Sequence, residues 1–98
     1  MTVVFHEEAL EEMLGAATYY EERSAGLGSV FLDAIEQTTR RLAARPDAGT
    51  IERGDVRKRF VAGFPFKVLY SREADGIFLL AVMHLRRRPG YWQMRRPV

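Results

Sequence analysis

The sequence predicts a single α+β domain over residues 1–98, with a helical hairpin packed on a small, mostly antiparallel sheet in the order β-α-α-β-β-β. Apolar residues recur at helical spacing through the first half of the chain and at strand spacing through the second half. An Asp75-Gly76 pair indicates a hairpin between the last two strands. Elements of these types form one two-layer domain when the helices cover a face of the sheet.

The N-terminal half begins with a short strand and a helix. The run TVVF at residues 2–5 is β-branched and aromatic, which is typical of a strand. Glu7 and Glu8 favour the start of a helix directly after it, because negative charge is favourable near a helix N-terminus. The helix is expected to end near Ser24, before the two glycines of AGLG. Its predicted apolar stripe is Leu10, Met13, Leu14, Ala17 and Tyr20.

A second helix is predicted from Leu27 or Gly28 to Ala44. Pro46 ends it, because the residue before a proline is pushed out of the helical region. The short glycine-containing connection favours an antiparallel hairpin of the two helices. The predicted apolar stripe of the second helix is Phe31, Ala34, Ile35, Thr38 and Leu42.

Three strands are predicted after a loop that spans residues 46–55. Residues 56–61 alternate apolar and basic side chains, which is typical of a strand with one wet face. Residues 66–71 form the next strand, and the strand at residues 77–85 is apolar on both faces. A strand of that composition is expected to lie centrally in the sheet, covered on both sides. The strand at residues 2–5 is expected to pair beside these later strands.

Composition excludes several kinds of site. The chain has no cysteine, which excludes disulfides, thiolate zinc sites and cysteine nucleophiles. The acids cluster on the first helix, where they are expected to face solvent, so no metal site and no cofactor are predicted. No apolar run approaches the roughly 18 residues of a membrane-spanning helix. The N-terminus lacks a basic segment followed by an apolar run, and we therefore expect a cytoplasmic protein without membrane contact.

Charge is distributed unevenly along the chain. Residues 1–50 carry nine acidic and four basic side chains, for a net charge of −5, and residues 51–98 carry four acidic and eleven basic ones, for a net charge of +7. Thirteen of the fifteen basic residues are arginine, whose planar guanidinium suits bidentate contacts with phosphate or carboxylate. The basic half therefore predicts an acidic partner, either nucleic acid or an acidic polypeptide, with solubility alone as the alternative.

The second half also carries the features by which the chain resembles a known family. In order along the chain, these features are Val56-Arg57-Lys58-Arg59-Phe60, Phe64-Pro65-Phe66, Val68, Tyr70, Asp75-Gly76, Leu80-Ala81-Val82, His84, Arg86, Arg87, Pro89 and Trp92. The Tyr19-Tyr20 pair and the Arg45-Pro46 helix end add to them. In this order and spacing, the chain resembles the RelE/ParE superfamily of toxins from bacterial type II toxin–antitoxin systems, most closely its ParE-like members.

The resemblance implies one of two activities. ParE-like toxins bind and poison DNA gyrase, whereas RelE-like toxins cleave messenger RNA on the ribosome. Both are neutralised by a cognate antitoxin with an acidic, amphipathic C-terminal segment. The protein could therefore assemble as a homodimer or as a toxin–antitoxin hetero-oligomer, and the sequence does not decide between them. We expect a ParE-like gyrase inhibitor without enzymatic activity. A RelE-like endoribonuclease is the alternative, and an inactive antitoxin-binding homologue and a non-catalytic nucleic-acid-binding module are further ones.

Two sets of candidate site residues follow. Ribonuclease chemistry needs a base, an acid and cations around the phosphate. For this chemistry the candidates are Arg59, His84, Arg86 and Tyr91, with Glu52 as an additional carboxylate. For contacts with the antitoxin or the target, the candidates are Arg57, Arg59, Arg86, Arg87, Arg88, Tyr91 and Trp92.

Structural roles compete with these functional ones after the last strand. His84, at the end of a buried strand, is suited to bonding backbone carbonyls or a tyrosine and to orienting the following turn. Arg86 and Arg88 share one face if the strand continues through them. Residues 89–92 are expected to turn and cap the sheet.

The arginines of the predicted strand at residues 56–61 could also have either a binding role or a structural role. Arg57 and Arg59 are two positions apart, so they are expected to project from one face, with Lys58 on the other. A cationic surface is one outcome. Pairing with Glu73 or Asp75 within the chain is the other.

Overall fold

Five strands form one mixed sheet in the computed structural model, which describes residues 2–95. They are β1 (Thr2–Phe5), β2 (Thr50–Arg53), β3 (Val56–Phe60), β4 (Phe66–Glu73) and β5 (Gly76–His84), in the spatial order β1-β5-β4-β3-β2. β1 runs parallel to β5, and the other neighbouring pairs are antiparallel. The predicted α+β class and order of elements are confirmed, and β5 is an interior strand between β1 and β4.

Two helices, α1 (Glu7–Arg23) and α2 (Leu27–Ala44), form the hairpin that covers one face of the sheet. The Glu21 carboxylate stabilises the loop between them, because it accepts hydrogen bonds from the N–H groups of Gly26 at 2.8 Å and Gly28 at 2.9 Å. A side chain at Gly28 would meet the Ala17 carbonyl oxygen at 2.6 Å. A glycine at position 28 therefore lets the two helices approach closely at the start of α2.

The buried face of α1 differs from its predicted stripe. Leu10 and Leu14 are 41% and 50% exposed, whereas Ala9 is fully buried and Ala17 nearly so. Met13, which belongs to the predicted stripe, packs against the core beside these alanines. Small side chains let the helix backbone approach the sheet, which leaves the leucines on the rim. In α2 the predicted stripe is confirmed, with Ala34 only partly buried and the other four residues buried.

The core between the helices and the sheet is built around aromatic rings. Phe31 is fully buried, and its ring centroid lies 5.4 Å from Tyr20, 5.0 Å from Phe64 and 5.1 Å from Phe66. Edge-to-face and tilted arrangements such as these are favourable for aromatic pairs. Aliphatic residues of α2, β4 and β5 complete this core.

A second, smaller core lies on the opposite face of the sheet. It consists of Val56, Leu69, Leu80, Ala81, Met83 and Trp92. A β-bulge supplies one of these side chains, because Leu69 pairs with Ala81 and Tyr70 with Leu79, leaving Leu80 as the extra residue of β5. Both faces of β5 are therefore covered, as its two-sided hydrophobicity predicts.

The segment at residues 46–55 is not the loop that the sequence predicts. It contains a 3-10 turn at Pro46–Ala48 and the strand β2, which pairs with β3 at the edge of the sheet. β2 is only four residues long, and Ile51 in it is 52% exposed. Its formation depends on pairing with β3, and no alternation of buried side chains marks it in the sequence.

Candidate functional site

A carboxylate of α1 holds the C-terminal segment against β5. The Glu12 side chain accepts hydrogen bonds from the Tyr91 hydroxyl at 2.7 Å and from the Arg95 guanidinium at 2.9 and 3.0 Å. It also accepts the Val82 N–H at 3.0 Å, and Arg95 donates to the Leu80 carbonyl at 3.2 Å. β1 ends before these backbone groups, so the side chains satisfy an edge of β5 that lacks a neighbouring strand. We call Glu12, Tyr91 and Arg95 the Glu12 clamp.

The Glu12 clamp is a shielded charge cluster. The side chains of Glu12 and Arg95 are 14% and 9% exposed, and they form a bidentate pair. Burial works against the charge of Arg95, but the hydrogen bonds and charge of Glu12 outweigh it and raise the pKa of the guanidinium. Burial, together with Glu12, also raises the pKa of Tyr91, so this phenol remains protonated. The expectation that the acids of α1 face solvent is therefore wrong for Glu12.

Tyr91 has a packing role as well as this hydrogen bond. The guanidinium carbon of Arg87 lies 3.9 Å from the Tyr91 ring centroid, and that of Arg95 lies 4.8 Å from it. Contacts of cations with an aromatic face are favourable at these distances. The structure thus places Tyr91 inside the protein's own polar cluster.

His84 ends β5 and orients the turn that follows it. Its Nδ1 atom accepts the Arg86 N–H at 3.0 Å, and its carbonyl accepts the Arg87 N–H at 2.9 Å. Its ring also packs edge-on against Phe66, with centroids 5.1 Å apart. The imidazole therefore orients the turn as a hydrogen-bond acceptor, and not through the predicted bonds to carbonyls or to a tyrosine.

The three consecutive arginines after His84 do not continue the strand. β5 ends at His84, so the expectation that Arg86 and Arg88 share a strand face is not met. The side chains of Arg86 and Arg88 are exposed and make no hydrogen bond or ion pair with residues 2–95. Arg87 instead lies 3.7 Å from a Glu12 oxygen.

Trp92 is only 2% exposed and belongs to the second core. This burial corrects the interpretation of Trp92 as a contact for an antitoxin or target, because its ring has no accessible face to offer. The expectation that residues 89–92 cap the sheet fits this position. Its indole Nε1 has no hydrogen-bond partner within the described part of the chain.

The two arginines of β3 are on one face of the sheet, as alternation predicts, but they differ in their partners. Arg57 donates to the Gly49 carbonyl at 2.7 Å and lies 3.9 Å from Asp47. Arg59 forms no hydrogen bond or ion pair with any described residue. Neither pairs with Glu73 or Asp75, since the acid near this face comes from the 3-10 turn after α2.

The candidate ribonuclease residues do not converge. Strand register places Arg59 and His84 two strands and two residues apart, or about 12 Å between Cα atoms. Tyr91 is bound to Glu12. Glu52 lies on the other face of the sheet, where the Lys67 and Lys58 ammonium groups are 3.1 and 3.3 Å away. Burial opposes ionisation of Glu52, but hydrogen bonds from these lysines lower its pKa overall.

Comparison with known proteins assigns the family. Residues 3–89 match the sequence profile described as the ParE toxin of the type II toxin–antitoxin system parDE. The chain belongs to this ParE toxin family. A solved structure titled "Chromosomal ParDE TA system from P. aeruginosa" is similar to it, with a TM-score of 0.63 and 17% sequence identity over 86% of this chain and 95% of that one. At this identity the similarity shows the fold alone, and no curated protein matches the sequence.

The matched region ends before the Glu12 clamp is complete. Glu12 lies inside residues 3–89, whereas Tyr91, Trp92 and Arg95 follow them. Within residues 2–95, no three His, Asp or Glu side chains group in a way that could hold a metal ion. No helix in the same range is long and apolar enough to cross a bilayer.

Proposed function

We propose that this ParE-family protein is the toxin of a type II toxin–antitoxin module that acts in the cytoplasm by binding DNA gyrase and is neutralised by a cognate antitoxin. Family membership carries the toxin assignment. The dispersal of Arg59, His84 and Tyr91 favours binding over RNA cleavage, because a general acid, a general base and a phosphate-binding cation must surround one phosphate. Tyr91 and the His84 Nδ1 atom are moreover occupied by partners within the chain.

Arginines without an internal partner, the half-buried Arg59 and the exposed Arg86 and Arg88, are the side chains best placed to contact an acidic partner. Arg59, Arg86 and Arg88 have no partner among the described residues, so binding a carboxylate or phosphate does not require an existing ion pair to break. Arg57 and Arg87 are partly engaged within the chain and add positive charge nearby. Charge complementarity of this kind speeds association and selects partners.

An apolar groove offers a site for the amphipathic segment of an antitoxin. It lies between β1 and the two helices, has a volume of about 410 Å³, and is lined by Val3, Phe5, Met13, Leu14, Leu32, Ile35, Glu36 and Thr39. The exposed Leu14 and Leu10, one turn earlier on α1, extend its apolar rim. Exposed apolar surface of this kind marks interaction sites, and without an antitoxin it also favours self-association of the toxin.

A supercoiling assay tests the proposed target. We expect the purified protein to inhibit supercoiling by purified gyrase and to stabilise covalently cleaved DNA, and we expect the antitoxin to reverse both effects. Unimpaired supercoiling without a cleaved complex would exclude the gyrase proposal. Mapping of messenger RNA 5′ ends after induction addresses the alternative, and new ends that depend on the ribosome would identify an endoribonuclease.

The double variant Arg59→Ala/Arg86→Ala is expected to weaken growth arrest without unfolding the protein. Neither side chain makes a hydrogen bond or ion pair with residues 2–95, so the free energy of unfolding should change by no more than about 0.5 kcal/mol per site. Growth after induction and urea denaturation are the measurements. Arg40→Ala is the matched control, because Arg40 forms only an exposed i,i+4 pair with Glu36. Full growth arrest by the double variant would show that these arginines lie outside the working surface.

A further inference from the structure

A cleft beside the C-terminal end of α2 concentrates positive charge. It has a volume of about 520 Å³ and is lined by Arg41, Ala44, Arg45, Asp47, Ala48 and Arg59. The side chains of Arg41, Arg45 and Arg59 form no hydrogen bond or ion pair with any residue in the range 2–95. Asp47 is already engaged, since its Oδ1 atom lies 2.9 Å from Arg72. We call Arg41, Arg45 and Arg59 the arginine cleft.

The wall of the arginine cleft is fixed from within the protein. Tyr70 is fully buried, and its hydroxyl donates to the Pro46 carbonyl at 2.6 Å and accepts the Gly49 N–H at 3.0 Å. Arg57 holds the same turn through the Gly49 carbonyl. A side chain at Gly49 would meet the Tyr70 hydroxyl at 2.5 Å, so the turn fits tightly over the ring. The turn that forms this wall is therefore preformed, and three arginines are among the residues that line the cleft.

An anionic ligand would neutralise the positive charge of the arginine cleft. Three arginines and one aspartate give the lining a formal charge of +2. The phosphodiesters of a nucleic acid carry the opposite charge, and each guanidinium group can bind phosphate oxygens through short, charge-assisted hydrogen bonds. A helix C-terminus carries partial negative charge, so Arg41 and Arg45 also stabilise α2. That role does not account for Arg59, which comes from β3.

An exposed aromatic ring distinguishes nucleic acid from an acidic peptide. Two smaller cavities, of about 240 and 340 Å³, flank the cleft, and Arg59 and Phe60 line both of them. Phe60 is the last residue of β3 and is 59% exposed. It pairs with Lys67, so its ring projects from the face opposite Arg59, at an edge of β3 that β2 leaves uncovered and that a flexible strand leaving the cleft can cross. Bases stack on such rings while the backbone follows a basic groove. A peptide that carries only carboxylates, such as oligoglutamate, has no group that stacks on the ring.

We propose that the arginine cleft binds the phosphate backbone of a single-stranded nucleic acid, with Phe60 stacking on a base. The proposal goes beyond gyrase binding and antitoxin neutralisation and does not depend on either. It also requires no cleavage of the nucleic acid.

Fluorescence anisotropy with a labelled oligothymidylate of about 12 nucleotides tests the proposal on the purified chain. Three phosphate contacts to a single strand contribute a slope of about −2 to the dependence of log affinity on log salt, which is about a 20-fold loss between 50 and 200 mM salt. The variant Arg41→Gln/Arg45→Gln/Arg59→Gln is expected to lose this contribution to the salt dependence of binding. Arg59→Gln alone should lose about one third of it, which covers the case in which the triple variant does not fold.

The variant Arg53→Gln/Arg86→Gln/Arg88→Gln is the matched control, because it removes the same charge from exposed arginines outside the cleft. It is expected to retain most of the slope of about −2 that the cleft contributes. An equal loss of slope in both triple variants would overturn the proposal. Phe60→Ala should weaken binding about tenfold with little change in slope. An oligoglutamate peptide that displaces the DNA at equal charge concentration would assign the cleft to acidic peptides instead.

Discussion

Replacing Phe31 with alanine is expected to lower the free energy of unfolding by about 3–5 kcal/mol, the range found for large-to-small changes at buried aromatic sites. The ring is fully buried and contacts three other aromatic rings at the junction of α2 with the sheet. Its removal loses hydrophobic transfer energy and leaves a cavity that the surrounding rings fill only in part. A small domain is stable by about 5–15 kcal/mol, so this one substitution removes a large fraction of the total.

Urea denaturation followed by far-UV circular dichroism measures this loss. Val30→Ala is the matched control, since Val30 is adjacent on α2 and 54% exposed, and it should change stability by less than about 0.5 kcal/mol. Leu80→Ala examines the second core in the same way, with an expected loss of about 2–5 kcal/mol. A loss at Phe31 no larger than at Val30 would mean that the aromatic cluster is not the principal core.

The parts of the fold that the sequence predicts are those governed by local periodicity. The α2 stripe follows a spacing of three and four because each large side chain faces the sheet. β3 alternates because Lys58 and Arg59 point to opposite faces. In both elements the period of the side chains records the direction of burial, so no knowledge of a distant partner is required.

Elements whose burial depends on distant neighbours were mispredicted. In α1, the leucines suggested the buried stripe, but Ala9 marks the face that lies closest to the sheet. β2 forms only because β3 lies beside it. Gly76 suggested a turn residue, yet it is already in β5, and a side chain there would collide with the backbone of Thr2 in the parallel strand β1.

The candidate site was predictable only where residues cluster in sequence. The arginines at positions 86–88 were visible as a run, and the structure leaves all three exposed, with only Arg87 paired to a residue in the range 2–95. Arg41 and Arg45 were visible as the basic end of a helix, but Arg59 joins them only because the fold brings β3 to the same cleft. Glu12 and Arg95 are 83 positions apart, and no local sequence pattern predicts their contact.

Removing the carboxylate of Glu12 is the second large effect that the structure predicts. Glu12→Ala removes the bidentate partner of the buried Arg95 and leaves only the exposed Glu8 carboxylate, 3.4 Å from Arg95 Nε, so most of the cost of about 3–5 kcal/mol for breaking a buried pair is expected. The Val82 N–H and the Tyr91 hydroxyl lose their acceptor in the same substitution. The expected response is release of the C-terminal segment from the edge of β5, together with a loss of global stability.

Trp92 reports this release, because it is the single tryptophan of the chain and is buried in the second core. In Glu12→Ala its fluorescence emission should shift to the red at urea concentrations that leave the helical circular dichroism intact. Glu11→Ala is the matched control: Glu11 is the exposed neighbour, and neither measurement should change.

The double variant Glu12→Ala/Arg95→Ala separates the value of the ion pair from the penalty of breaking it. If the penalty dominates, the double variant should be more stable than Glu12→Ala alone, because no charge is left buried without a partner. Equal stability of the two variants would instead mean that solvent or the remaining Glu8 carboxylate compensates the charge of Arg95 once Glu12 is gone. In that case the Glu12 clamp contributes through its hydrogen bonds to β5 and Tyr91, at about 1 kcal/mol each, and the segment that follows the family-matched region is held by Trp92 packing.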